Sequence, residues 1–166
     1  MKSFDSLNDL LMEELAGLLN MENRLIDALP GMERAAESAV LKIILQKYLK
    51  MTREHAGRLR DIFNNAGQNP KEAASKAMEG FMAESQELVR KTEKSQDRDN
   101  AIIWLAQRME QYEIAEYKKA REHAVDLGQE KIVESFTKTL NEQRALNFHL
   151  NELAQGMINA QTIGQP

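Results

Sequence analysis

The chain of 166 residues contains no cysteine, which excludes a disulfide framework, a thiolate metal site, an iron-sulfur cluster and a cysteine nucleophile, and makes a reducing compartment sufficient. No apolar run approaches the roughly 20 residues of a membrane span. The opening MKSFDSLNDLLMEEL lacks the apolar block and cleavage site of an export signal, so a cytoplasmic protein with no membrane partner is expected. Positive charge is not in excess either. With 22 Lys and Arg against 26 Asp and Glu the net charge is -4, and bases scattered among acids do not build the phosphate-binding face that nucleic acid needs. Strand-like alternation, a Gly-rich phosphate loop, a nucleophile elbow, internal repeats and low-complexity tracts are also missing.

Helix breakers are sparse, at three Pro and eight Gly, and the intervals between them are long and amphipathic. The first stripe runs through Leu7, Leu11, Glu14, Leu18, Glu22, Leu25 and Leu29 at spacings of three and four. Asp5 or Ser6 is its expected N-cap and Pro30-Gly31 its expected end. A second stripe, Leu41, Ile44, Leu45, Tyr48, Thr52, His55, Leu59 and Ile62, stops at Asn64-Asn65-Ala66-Gly67. A shorter helix is expected between Pro70, at its first position, and Lys94. The polar run Lys94 to Asp99 then separates it from Ile102, Leu105, Ala106, Met109, Tyr112 and Glu113, whose helix ends at Asp126-Leu127-Gly128. The last helix carries Ile132, Phe136, Leu140, Gln143, Leu146, Asn147, Leu150 and Met157. Two long helices, a helical crossover and two more long helices predict one all-α domain over residues 1–160, an antiparallel four-helix bundle with an additional helix in the long crossover between helices two and three. Residues 161–166 are expected to form a disordered tail.

The polar members of these stripes are Glu22, Thr52, His55, Glu110, Glu113, Gln143 and Asn147. A carboxylate in a bundle core is costly unless it meets a cation or a hydrogen-bond donor. Bundles that hold two iron or manganese ions use a Glu from each of two helices and a Glu-x-x-His pair from each of the other two, because residues three apart offer an oxygen and an imidazole nitrogen to one side. Here the second helix offers Thr52-x-x-His55 and the last offers Gln143-x-x-Leu146, both incomplete. The competing reading makes His55 a hydrogen-bonded core residue and the glutamates stripe-edge residues reaching water. Glu14, Glu54 and Glu116 read as edge residues, and His123 and His149 as solvated. Met12, Met21, Met109 and Met157 read as core filler, and Trp104 and Tyr112 as packing residues, with Tyr112 able to reach a buried carboxylate.

Several segments resemble the YciE/YciF family of ferritin-like proteins, which is linked to bacterial stress responses and has no settled activity. The resemblance spans nearly the whole chain and rests on Met21-Glu22-Asn23-Arg24-Leu25, His55, Ala77-Met78-Glu79-Gly80 and the run Met109 to Tyr117. Its Glu110-x-x-Glu113 spacing is also similar to the third bundle helix of rubrerythrins. The resemblance implies Glu22, His55, Glu110 and Glu113 as metal ligands. It also exposes departures. Thr52 stands where the family tends to carry Glu, and the last helix reads Glu142-Gln143-Arg144 with Asn147 where the family tends towards Glu-Glu-Lys followed by Asp, leaving Glu142 as the one acid of that motif.

The expectation is a ferritin-like stress-response protein with a reduced carboxylate-histidine site made from Glu22, His55, Glu110, Glu113 and Glu142, holding iron, manganese or no metal. No enzymatic activity is the leading expectation; with iron bound, the chemistry would be ferrous oxidation or reaction with peroxide. The alternative is a metal-free helical interaction protein whose core polar residues form a hydrogen-bonded network. A haem bundle would need paired axial ligands, and only His55 is well placed. The expected assembly is a homodimer or another small homo-oligomer, since no fifth helix follows the bundle to build a storage cage.

Overall fold

The computed structural model describes residues 7–71 and 73–163, with side chains described for 8–71 and 73–156. Five helices follow in order: α1 (Leu7–Ala35), α2 (Ala39–Asn65), α3 (Lys76–Lys91), α4 (Gln96–Asp126) and α5 (Glu130–Ile163). No strand occurs among the described residues. Helices α1, α2, α5 and α4 pack in a ring, each against the next, and α3 lies against α1 and α4. The side chains of Leu7 and Met157 and the expected caps Asp5 and Ser6 lie outside the described residues. Helix α5 continues to Ile163, into the segment expected to be an unstructured tail; residues 164–166 also lie outside the description.

Three expected boundaries move. Pro30-Gly31 does not end α1, which runs on to Ala35. An internal proline removes one backbone bond and costs on the order of 3 kcal/mol, but Leu25, Leu29, Met32 and Ala36 stay on the buried stripe across it, and burying a side chain the size of Met32 contributes roughly 1.5–3 kcal/mol. Helix α3 starts at Lys76 and not at Pro70, because Ser75 supplies the N-cap, its Oγ accepting from Met78 N at 3.3 Å. The polar run after α3 is no linker beyond Ser95. Ser95 caps α4, accepting from Arg98 N at 3.2 Å, and the run becomes the first turn.

Two residues of that turn, Arg98 and Asp99, are buried. Asp99 accepts from the backbone N–H groups of Glu37 and Ser38, both at 2.8 Å, in the short link between α1 and α2. Arg98 donates to Ala35 O at the end of α1 (3.4 Å), to Val89 O near the end of α3 (3.1 Å) and to Thr92 Oγ1 (2.9 Å). A guanidinium there satisfies carbonyls at two helix C-termini and meets the negative ends of both dipoles.

The other boundaries fall where glycine permits a left-handed residue. Gly67 (φ 63°) follows α2 and Gly128 (φ 66°) follows α4. The next residues close the turns, Gln68 N donating to Phe63 O at 3.0 Å and Gln129 N to Ala124 O at 2.9 Å. Trp104, expected to pack, is 54% exposed: Ile102, Ala106 and Met109 hold the inward face, and a residue two positions from both Ile102 and Ala106 points away from it. The buried polar residues Glu22, Thr52, His55, Glu110, Glu113 and Gln143 stand on the inward stripes of the four ring helices.

Candidate metal centre

Each ring helix delivers its polar groups by the same rule, spacings of three or four on a face otherwise filled by Leu, Met and Ala. Helix α1 contributes Glu22 between Leu18 and Leu25, and α2 contributes Tyr48, Thr52 and His55, with Arg58 one turn on. Helix α4 contributes Glu110, Glu113 and Tyr117, and α5 contributes Thr139, Glu142 and Gln143.

Glu22, His55 and Glu113 each present one donor atom, and these atoms lie within 4.8 Å of one another. All three residues are fully buried. His55 is held from both sides. Its Nε2 lies 2.9 Å from Glu142 Oε2, and its Nδ1 lies 3.5 Å from Glu22 Oε1. Glu142, about one-third exposed, is gripped through both oxygens by Arg58, with Nη1 to Oε2 and Nη2 to Oε1 each at 2.8 Å. Arg58 Nη1 also donates to Thr139 Oγ1 at 3.1 Å. Tyr117 donates its hydroxyl to Glu22 Oε1 at 2.6 Å, and Tyr48 donates to Glu113 Oε2. The Tyr117 ring is fixed edge-on against His55 and Phe136. Thr52 turns its hydroxyl to Tyr48 O at 2.8 Å.

The electrostatics follow from burial. Desolvation pushes Glu110 up to about 8, opposed by the nearby Glu113 and Tyr48 and reinforced by Glu22. Burial, then Glu110 and Glu22, hold Glu113 well above the ordinary carboxyl range. Burial raises both Tyr48 and Tyr117, with Glu113 adding to the first and Glu22 to the second. For His55 burial acts downwards, but Glu22 and Glu142 outweigh it and the net shift is upward. Glu142 is the reverse case: burial acts upwards, yet Arg58 and His55 hold the carboxyl below its usual value.

Five residues carried the expectation of a site, and their places differ. Glu22, His55 and Glu113 converge, and Glu142 stands on the outer nitrogen of His55, in contact with Arg58. Glu110 is fully buried one turn from Glu113, with neither oxygen partnered. Glu22 Oε2, His55 Nδ1, Glu113 Oε1 and both polar atoms of the Gln143 amide are likewise buried without a hydrogen bond. Such orphaned acceptors beside an imidazole fit a cation between Glu22, His55 and Glu113. They do not fit a carboxylate-bridged pair of ions, because Thr52 and Gln143 supply no charge.

Tyr48, Tyr117 and Arg58 were not singled out from the sequence as site residues, although Tyr117 lies four positions from Glu113, Arg58 three from His55 and Tyr48 seven, two helical turns, from His55. Tyr112 meets no carboxylate: it contacts Ser75 Oγ at 3.3 Å and packs on Phe81. His123, expected to be solvated, is 30% exposed and pairs with Glu14 at 2.8 Å across α1 and α4. His149 is solvent-exposed, as expected.

Residues 6–163 match the model of a domain family described as a domain of unknown function, DUF892. Protein YciF of Escherichia coli (strain K12) is 30% identical over 155 residues, covering 93% of each chain. The crystal structure of the E. coli stress protein YciF matches with a TM-score of 0.88 at 29% identity, over 94% of this chain and 99% of that one. YcfI from Rhodopseudomonas palustris matches with a TM-score of 0.84 at 33% identity, over 91% of this chain and 98% of that one. Ferritin-like, diiron-carboxylate proteins from Bacillus anthracis str. Ames share the fold, with a TM-score of 0.70 at 17% identity over 91% of this chain and 99% of theirs.

Proposed function

The chain belongs to the DUF892 family, the YciE/YciF group of ferritin-like proteins, and from that premise we propose that its bundle core holds a single divalent cation, ferrous or manganous, in a protein that serves the stress response. The observation that carries this reading is the convergence of Glu22, His55 and Glu113, one donor atom from each lying within 4.8 Å of the others, on residues that each also hold a buried polar atom without a hydrogen bond.

The flanking residues support it. Arg58 keeps Glu142 ionised, so Glu142 can only accept a hydrogen bond, and the hydrogen on His55 belongs on Nε2. The Nδ1 lone pair is then offered to the core, as in metal sites where a carboxylate orients a ligating histidine from behind. In this reading Glu142 orients the ligand and does not bind the ion. Tyr117 and Tyr48 each donate to one oxygen of Glu22 and Glu113, which leaves the other oxygen of each open. Glu110, one turn away, is a further oxygen donor that becomes available once it ionises. A bound iron or manganese ion would supply one-electron chemistry toward oxygen or peroxide. The buried cluster keeps bulk water away, and the raised Glu110 and Glu113 carboxyls hold protons that a cation would displace. We further propose that the protein works in the cytoplasm as a homodimer or another small homo-oligomer.

Elemental analysis after purification without chelators, followed by calorimetric titration with manganous ion, tests the site. One equivalent per chain is expected, with binding lost in Glu113→Gln and in His55→Ala. No metal in the purified protein and no binding heat would favour a second reading, a metal-free core network in which the protonated carboxyls of Glu110 and Glu113 act as donors.

A further inference from the structure

A groove of about 550 Å³ opens between α1 and α3, its lining including Ala28 and Arg34 from the first helix and Met82, Val89 and Arg90 from the second, with Arg98 beneath. It is separate from the core cluster: Gly31 lies nine residues beyond Glu22 on α1, roughly 13 Å along the axis at 1.5 Å per residue. Its volume is that of a small-molecule site.

The lining has one acid, Asp27, against three arginines, on a chain whose net charge is -4. Arg98 is 8% exposed, and its hydrogen bonds go to two carbonyls and one hydroxyl, all neutral. A guanidinium carries five N–H donors; three are engaged, and two remain on a side chain that lines the groove. Arg34 forms no ion pair among the described residues, and its Nη2 lies over Gly31, 3.9 Å from where a Cβ would stand. Arg90 touches Glu87 only at 4.0 Å, and both side chains are exposed, so the pair holds it weakly. Ala28, Met82 and Val89 give the walls an apolar character.

We propose that this groove binds a small amphipathic organic anion, its oxyanion head taken by Arg34, Arg90 and Arg98 and its apolar body laid along Met82, Val89 and Ala28. Fork-shaped donors on a partly desolvated floor suit a carboxylate or phosphate oxygen pair, and the apolar walls distinguish the ligand from a free inorganic ion.

Heteronuclear NMR titration of the full chain tests this with three probes: octanoate (head and body), octanol (body alone) and inorganic phosphate (head alone). Octanoate should shift the amides of residues 27–35 and 82–90 saturably and at least tenfold more tightly than either other probe. The double variant Arg34→Gln/Arg90→Gln, which changes only exposed side chains, should weaken octanoate at least tenfold and leave octanol unchanged. Ala28→Phe, which fills the groove, should abolish both responses. Equal affinity for octanoate and octanol, unchanged octanoate affinity in the double variant, or no saturable shift with octanoate would each overturn the proposal. Phosphate binding as tightly as octanoate would overturn the assignment of an apolar body. Neither the probes nor the variants involve Glu22, His55 or Glu113, so the outcome is independent of the metal reading.

Discussion

Without metal, this protein should become less stable as pH rises, the opposite of the usual behaviour of a protein rich in ionised surface carboxylates. The cause is Glu110, whose pKa rises from 4.5 to about 8 on burial. A carboxyl raised in the folded state binds its proton more tightly there than in the unfolded chain, so its contribution is complete below pH 4.5 and is lost as pH climbs through about 8. The difference of about 3.5 pH units, at 1.36 kcal/mol each, amounts to about 5 kcal/mol as an order of magnitude, or about 1.4 kcal/mol per pH unit within the window. Glu113 and His55, both shifted upward, act in the same direction. Glu142 is shifted downward, so its contribution declines only as pH falls below the ordinary carboxyl range, outside the window. Urea unfolding followed by circular dichroism, with chelator present, at several values from pH 5.5 to 8.5 measures the slope. A free energy of unfolding that is flat or rising across that range would refute the reasoning. Glu110→Gln should flatten the slope in the metal-free protein, and manganous ion should reduce or reverse it in the parent, because a cation takes over the task of the protons.

Three other outcomes follow from the same geometry. Adding the two absent acids, Thr52→Glu with Gln143→Glu, should tighten ferrous or manganous binding in calorimetry while lowering the melting temperature of the metal-free protein; an equal metal-induced rise in melting temperature for parent and variant would count against these positions. Asp99→Ala should destabilise the fold by roughly 2–4 kcal/mol in urea unfolding, since two N–H groups lose a charged acceptor, and Asp99→Asn should lose less. Size-exclusion chromatography with light scattering should give a dimer or another small oligomer, and a large hollow shell would exclude it.

The four long helices were legible because their stripes are long and regular, and the core polar residues were legible because they interrupt those stripes at inward positions. Glu22, His55 and Glu113 could therefore be picked out as inward polar residues without coordinates, and the family resemblance supplied their reading as ligands. What escaped was of two kinds. Pro30 and Pro70 are local signals that tertiary burial and a competing cap override: Met32 and Ala36 continue the stripe beyond the first, and Ser75 outcompetes the second. Arg98 and Asp99 were hidden because charged residues in a polar run read as solvated, and only the meeting of three helix ends, distant in sequence, gives them partners. The hydrogen-bonding roles of Tyr48, Tyr117 and Arg58 were obscured because a tyrosine on an apolar stripe packs equally well with or without a carboxylate at its hydroxyl.

Asp99 does for this cysteine-free chain part of what a cross-link does elsewhere. Its two bonds to Glu37 and Ser38 join points about 62 residues apart, closing a loop that contains all of α2 and α3. A disulfide across such a span would act largely by shrinking the conformational freedom of the unfolded chain. A carboxylate closure leaves the unfolded chain unrestricted, so its whole effect lies in the folded state, where loop entropy must first be overcome by packing. The hairpins α1–α2 and α4–α5 are each built from neighbours in sequence, whereas this closure needs the two halves already brought together. It therefore rewards complete assembly of the bundle over either half alone, and it can open and reform without any redox partner.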